Sequence, residues 1–437
     1  LHLCDRRQRQ MCIRDSGYTL TDDETQADVI VINTCCFIHD AKEESINTIL
    51  EMAQYKEQNL KALVVAGCLA ERYKDEILKE IPEIDAVLGT TSYDSIVEAV
   101  NMALAENAGE HFEHYESIDY LPDNSEVERV VTTGNHMAYL KIAEGCDKRC
   151  SYCIIPKIRG HFRSVPMEEL LNEAKRLASE GVKELVLVAQ ETTLYGKDLT
   201  GEKQLPLLLH ELCKIEGIEW IRLLYCYPEE ITDELIEAIK TEEKVCNYID
   251  MPIQHSENRI LQRMGRRTSR EDLVAVIKKL RQEIPDITIR TTLITGFPGE
   301  SEEDHEGLMN FVEECKFDRL GVFTYSPEED TLAATFEDQI DEEVKEARRD
   351  ELMSLQQEIS YEHTQQLVGK TIKVMVEGYL FEDDIYVGRS YMDAPKVDGC
   401  VFINSPEELM TGDFVYVKIT QGREYDVIGE VDYEFTK

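Results

Sequence analysis

The sequence predicts an α/β chain in three parts: an N-terminal parallel α/β domain, a central incomplete (βα)6 barrel, and a small C-terminal antiparallel β-barrel. Three observations carry that prediction. Residues 17–104 and 136–337 alternate apolar strand-like runs with helical segments, the pattern of parallel sheets whose crossovers are helices. Residues 370–437 instead hold five short runs separated by Gly- and Asp-bearing turns. The length, 437 residues, suffices for two or three separate cores.

In the first part, Ala27–Thr34 (ADVIVINT) is a continuous apolar run ending at Cys35, with a helical pattern over 40–55 behind it. Ala62–Gly67 (ALVVAG) repeats the design, ends at Cys68 and leads into a helix over 70–80; Ile84–Leu88 is a third short strand. Open parallel sheets collect ligands beyond the carboxyl ends of their strands, where Cys35 and Cys68 lie. Residues 105–135 are acidic and aperiodic and read as a linker. The six strands of the second part are Ala138–Ala143, Glu184–Gln190, Trp220–Cys226, Tyr248–Ile253, Ile287–Ile294 and Arg319–Tyr325. Their chemistry is expected at the carboxyl-end face. A charged connecting helix over 338–369 leads to the last part, with strands at Thr371–Tyr379, Asp384–Arg389, Val401–Asn404, Phe414–Ile419 and Asp426–Val431.

Composition narrows the function classes. No apolar run approaches the ~18 residues that span a bilayer, and no signal-peptide pattern opens the chain, so the expectation is a cytoplasmic protein without membrane partners. The formal charge is −41, from 88 acidic and 47 basic residues. A nucleic-acid surface needs clustered Lys and Arg, so this balance points either to a solvated acidic surface or to a basic partner such as a ribosomal protein. Thirteen cysteines in such a chain call for metal or redox chemistry before disulfides. Cys213, Cys226, Cys246, Cys315 and Cys400 stand alone and read as inert core thiols.

Three cysteines do not stand alone. In EGCDKRCSYCIIPKIRG (Glu144–Gly160), Cys146, Cys150 and Cys153 form a C-x3-C-x2-C loop after the first strand of the second part. Three thiolates so spaced can hold three irons of a four-iron cube and leave the fourth open. An open iron can chelate the amino and carboxylate groups of S-adenosylmethionine and reduce its sulfonium, releasing a 5′-deoxyadenosyl radical. Zinc is the alternative, with His161 as fourth ligand, but zinc sites usually show tight C-x2-C pairs.

This loop, with Tyr152 before its last cysteine, resembles that of the radical S-adenosylmethionine superfamily. The NTC and AGC strand ends, the Glu144–Gly160 block and the C-terminal barrel together resemble the methylthiotransferases, over nearly the whole chain beyond residue 16. The resemblance implies a TIM-like radical barrel, a C-terminal TRAM domain and two 4Fe-4S clusters. Cys146, Cys150 and Cys153 would hold one; Cys35 and Cys68 match two of the three ligands of the other. Cys36 is an adjacent candidate, but neighbouring side chains of an extended segment point apart and Cys35 is preferred. Tyr152, Gln190, Glu191, Arg290 and Gly296 are implied as S-adenosylmethionine contacts, with a buried ion pair as the second reading of Arg290. Gln254 and His255 read more simply as satisfied polar residues.

Four segments are similar to the RimO branch, which methylthiolates an aspartate of a small-subunit ribosomal protein: LVAQETTLYG (187–196), YIDMPIQHS (248–256), TYSPEEDT (324–331) and GRSYMDAPKVDG (388–399). The acidic 370–437 segment, with 14 acidic and 7 basic residues, agrees with a basic ribosomal protein as substrate. The resemblance further implies an electron donor as partner. Two alternatives stand beside it: methylthiolation of adenosine in tRNA, and a non-catalytic binding protein. Residues 1–16 depart from the family pattern. They show neither a strand nor the family's first-cysteine motif, read as non-native, and make Cys4 and Cys12 poor substitutes for the third ligand of the N-terminal cluster.

Overall fold

The computed structural model describes residues 17–19, 21, 23–105, 111–122, 134 and 136–435. The expectation for residues 1–16 therefore lies outside the described residues. The chain forms two compact units that do not follow chain order. One takes in the described residues up to Thr132, with Ala143–Glu169 and Ser326–Ala334; the other holds Thr133–Ile142, Leu170–Tyr325 and Thr335–Lys437.

The first unit is built on a four-stranded parallel sheet in consecutive order: β1 (Val29–Thr34), β2 (Ala62–Gly67), β3 (Ala86–Leu88) and β4 (Phe112–His114). Alternate residues of a strand face opposite sides, and the core divides accordingly. Ile32, Leu63, Val65 and Val87 pack with Ile49 and Ile77 on one face; Val64, Ala66, Ala86 and Leu88 pack with Ile96, Ala99 and Val100 on the other. Each fully buried Val or Leu contributes roughly 1.5–3 kcal/mol. Strand β4 corrects the linker reading of 105–135: residues 112–114 close the sheet edge against β3. The cysteine loop is part of this unit too. It is bracketed by the short antiparallel pair β6 (Ala143–Glu144) and β7 (Arg163–Ser164), and Ile154 and Ile158 join the first apolar face.

The second unit carries β5 (Met137–Lys141), β8 (Glu184–Val188), β9 (Trp220–Leu223), β10 (Val245–Asp250), β11 (Thr288–Thr295) and β12 (Arg319–Thr324). They form one parallel sheet in chain order, the incomplete six-unit barrel expected. Helices between them begin where local chemistry starts them. Ser269 with Asp272, and Ser301 with Asp304, make reciprocal caps that satisfy first-turn N–H groups. A helix over Glu342–Leu367 leads to a closed barrel of β13 (Thr371–Leu380), β14 (Ile385–Ser390), β15 (Val401–Asn404), β16 (Phe414–Gly422) and β17 (Val427–Val431). Four of its five pairings are antiparallel; β17 returns between β16 and β15 and runs parallel to β15. Gly388 in β14 leaves no room for a side chain, since a Cβ would lie 2.5 Å from the Met375 carbonyl.

Candidate functional site

The C-x3-C-x2-C loop is shaped by its backbone. Gly145 has φ +78°, and a Cβ there would lie 2.1 Å from the His161 carbonyl, so only glycine fits. The Cys146 N–H donates to the Gly160 carbonyl at 3.2 Å, and Cys153 N–H to the Cys150 carbonyl at 3.0 Å. Arg149, at φ +53°, turns the chain between them. The result is a tight turn with Cys146 and Cys150 buried and Cys153 half-buried. Tyr152 is half-buried on the same turn.

His161, the zinc alternative's fourth ligand, is 68% exposed and its Nδ1 lies 2.8 Å from Asp147. The Asp147 carboxylate raises its pKa and favours the charged ring, which cannot ligate a metal. The donor set answers to a cube, in which each thiolate binds a different iron, rather than to zinc, which needs four ligands on one centre.

Cys35 and Cys68 follow β1 and β2, whose paired ends Thr34 and Gly67 finish level. Ser45 fixes the Cys35 backbone from both sides: its Oγ accepts from Cys35 N–H at 3.0 Å and donates to the Cys35 carbonyl at 2.9 Å. Cys36 is fully buried in the apolar cluster, and burial, then Cys68, push its thiol up to about 12. Such a thiol behaves as core. The solitary cysteines follow the same rule, burial pushing Cys246, Cys315 and Cys400 to about 11 and Cys213 to about 12.

The remaining candidates lie in the second unit. Gln190 and Glu191 follow β8; Gln190 is half-buried and Glu191 buried, its Oε1 accepting from the Thr193 N–H at 3.0 Å and from the Thr193 hydroxyl. Arg290 makes the ion pairs of its second reading. Its Nη1 lies 2.7 Å from Asp250 and its Nε 3.3 Å from Asp398, so the guanidinium is committed to two carboxylates. Gly296 has φ +69°, as a tight turn requires, but its close neighbour is Lys345, whose Cγ would lie 2.2 Å from a Cβ. Lys345 runs past the turn to donate to the Tyr325 carbonyl at 2.9 Å. His255 is fully buried and only half satisfied: its Nδ1 accepts from the Glu257 N–H at 3.0 Å, while its Nε2 lies 3.7 Å from Glu300, beyond hydrogen-bond distance. The GRSYMDAPKVDG segment is a clasp rather than a surface turn. Asp393 lies 2.6 Å from Arg319, and Asp398 accepts from the Tyr248 hydroxyl at 2.7 Å.

Comparison with known proteins fits this geometry. A Radical SAM superfamily model matches residues 140–312, an uncharacterized protein family UPF0004 model residues 3–89, and a TRAM domain model residues 368–431. The ribosomal protein uS12 methylthiotransferase RimO of Lachnoclostridium phytofermentans is 61% identical over 421 residues, covering 96% of this chain and 95% of that protein. The chain belongs to the RimO methylthiotransferase family. RimO from Thermoanaerobacter sp. (strain X514) is 50% identical over 418 residues, covering 96% of this chain and 94% of its own. Among solved structures, the radical S-adenosylmethionine methyltransferase TsrM from Kitasatospora setae aligns with a TM-score of 0.53 at 13% identity, covering 73% of this chain and 70% of that one. That likeness concerns the fold alone. The UPF0004 match begins at residue 3, inside the segment that the sequence reading sets apart from the RimO pattern.

In the first unit Arg72 and Glu328, and in the second unit Asp250, make polar contacts that are not legible in the sequence. Arg72 pairs with Glu328 across 256 residues, and Asp250 accepts from the Tyr225 N–H at 2.9 Å while holding Arg290. The AGC strand end lies four residues before Arg72 and the TYSPEEDT segment contains Glu328, but neither signals the pairing.

Proposed function

We propose that this chain is a cytoplasmic radical S-adenosylmethionine methylthiotransferase that modifies the β-carbon of an aspartate in ribosomal protein uS12. The observation that carries the reading is the Cys146–Cys150–Cys153 turn within a chain 61% identical to a RimO enzyme. Cys146, Cys150 and Cys153 would hold the radical cluster, and Cys35 and Cys68 would serve the N-terminal one, Cys36 being core. Bound there, the clusters and S-adenosylmethionine supply, with an external electron donor, a 5′-deoxyadenosyl radical for hydrogen abstraction and a methylated sulfur for transfer.

The chain's own residues bind and exclude. The Gly145–Gly160 backbone holds the three thiols of the radical loop on one turn, and the apolar side chains Ile154 and Ile158 anchor that turn in the core. Tyr152, Gln190 and Glu191 are the remaining candidates for S-adenosylmethionine; Arg290 and Gly296 are better accounted for by Asp250, Asp398 and Lys345. The acidic balance of the TRAM barrel favours a basic protein over RNA phosphates as substrate.

Isotope transfer tests this reading. With uS12 deuterated at its aspartate β-carbons, the reduced and reconstituted chain should release 5′-deoxyadenosine that has gained deuterium, and mass spectrometry should place any methylthio group on that aspartate. Deuterium arriving only from labelled tRNA adenosine would move the function to the tRNA alternative.

A further inference from the structure

Residues 326–334 follow β12 in sequence, yet they belong to the compact unit of the N-terminal sheet. There they meet both cysteine groups. The Arg72 guanidinium, four residues beyond Cys68, donates to the Cys36 carbonyl at 3.0 Å, to Glu328 Oε2 at 3.3 Å and to the Glu329 carbonyl at 2.8 Å. Arg72 and Glu328 side chains are each only 5% exposed, so the pair is shielded from water. The Ser326 hydroxyl steadies Glu328 at 2.9 Å, and Tyr73 donates to Glu329 at 2.8 Å. At the other end the Ala333 N–H donates to the Ser151 carbonyl at 2.8 Å, inside the Cys150–Cys153 turn.

We propose that Ser326–Ala334 is a strap, and Arg72–Glu328 a positioning pair, that hold the Cys35–Cys36 backbone and the Cys150–Cys153 turn in one fixed relation on which sulfur transfer depends. For the transfer step this rests on the functional reading above. The physical reason is distance. A radical generated at one loop and a sulfur held at the other must meet on one carbon, and a misplacement of about 1 Å can cost a hundredfold in rate. A buried ion pair is a suitable lock because it has one good geometry and loses much when either partner goes.

Two readouts test the proposal on the full chain. The first needs no cofactor: alkylation of each cysteine in the metal-free protein, followed by peptide mass spectrometry. Glu328→Gln should speed alkylation of Cys35, Cys68 and Cys150 together by roughly tenfold, since local opening becomes easier. Cys226 and Cys246, buried in the other unit, should not change. Glu328→Asp, which keeps the charge, should return the rates toward wild type. Ala333→Pro removes the N–H given to Ser151 and sets a ring carbon against that carbonyl, so it should part the strap from the turn and also free Cys150. The second readout is methylthiolated aspartate formed per 5′-deoxyadenosine, which both Glu328→Gln and Ala333→Pro should lower by on the order of tenfold or more. Unchanged labelling in both variants, or labelling that rises equally at Cys226 and Cys246, would overturn the strap. A wild-type chain that forms no 5′-deoxyadenosine would sink the functional reading alone, because the labelling result stands without it.

Discussion

A guanidinium in a barrel strand can serve a cofactor or the fold, and at Arg290 the partners decide. Asp250 and Asp398 hold it while Tyr248 donates to Asp398. Asp398→Asn should therefore cost about 3–5 kcal/mol of stability, the usual result of stripping one partner from a buried pair. Urea unfolding gives that cost, and equilibrium dialysis should find S-adenosylmethionine affinity little altered. Glu184 is a sharper case. Burial would raise its pKa, but the Arg389 and Arg222 guanidiniums, at 2.6 and 2.8 Å, hold it at about 2 against an ordinary 4.5. A depressed carboxylate pKa adds stability that is full above the unfolded value and is lost as pH falls through the folded one. Acid unfolding should thus steepen between about pH 4.5 and 2, and Glu184→Gln should flatten that window while lowering stability at neutral pH. A buried ion pair is legible in the sequence as one reading of Arg290, but the partners in these pairs are not, because each pair joins residues far apart in sequence. Cys146, Cys150 and Cys153 could, since eight consecutive residues carry their whole chemistry.

At the scale of elements, legibility follows how locally each one is determined. ALVVAG is a strand by composition alone, and β2 spans those six residues, Ala62–Gly67. Strand β10 begins at Val245 rather than at the expected Tyr248, because half-buried Asn247 interrupts an apolar run that the parallel ladder with β9 nevertheless includes. Strand β4 shows the same effect in stronger form: FEH has no apolar pattern, and only pairing with β3 makes it a strand. The C-terminal barrel was visible as five runs, but its attachment was not. Arg389 shares Glu184 with Arg222, and Asp393 and Asp398 hold Arg319 and Arg290. Deleting residues 370–437 would leave Arg319 without Asp393 and take from Arg222 and Arg290 the groups that complete their sites. The expected outcome is a poorly soluble protein with a lowered melting temperature, not an intact core that has merely lost its substrate-binding domain. A truncated chain that melts like the full one would contradict this.

For the whole molecule the ruling quantities are charge and the cysteine turn. A formal charge of −41 argues against a broad phosphate-binding surface and agrees with a basic partner met through exposed acidic groups. Such docking should weaken steeply as salt shortens the Debye length to ~8 Å near physiological ionic strength, which titration of labelled uS12 at rising salt can follow. No helix among the described residues is long and apolar enough to cross a membrane. The most direct measurement is 5′-deoxyadenosine released after anaerobic reconstitution and dithionite reduction, comparing the chain with its Cys150→Ala variant. The expected result is product from the former, with none from the latter and fewer bound irons; undiminished product from Cys150→Ala would contradict a radical site on the Cys146–Cys150–Cys153 turn.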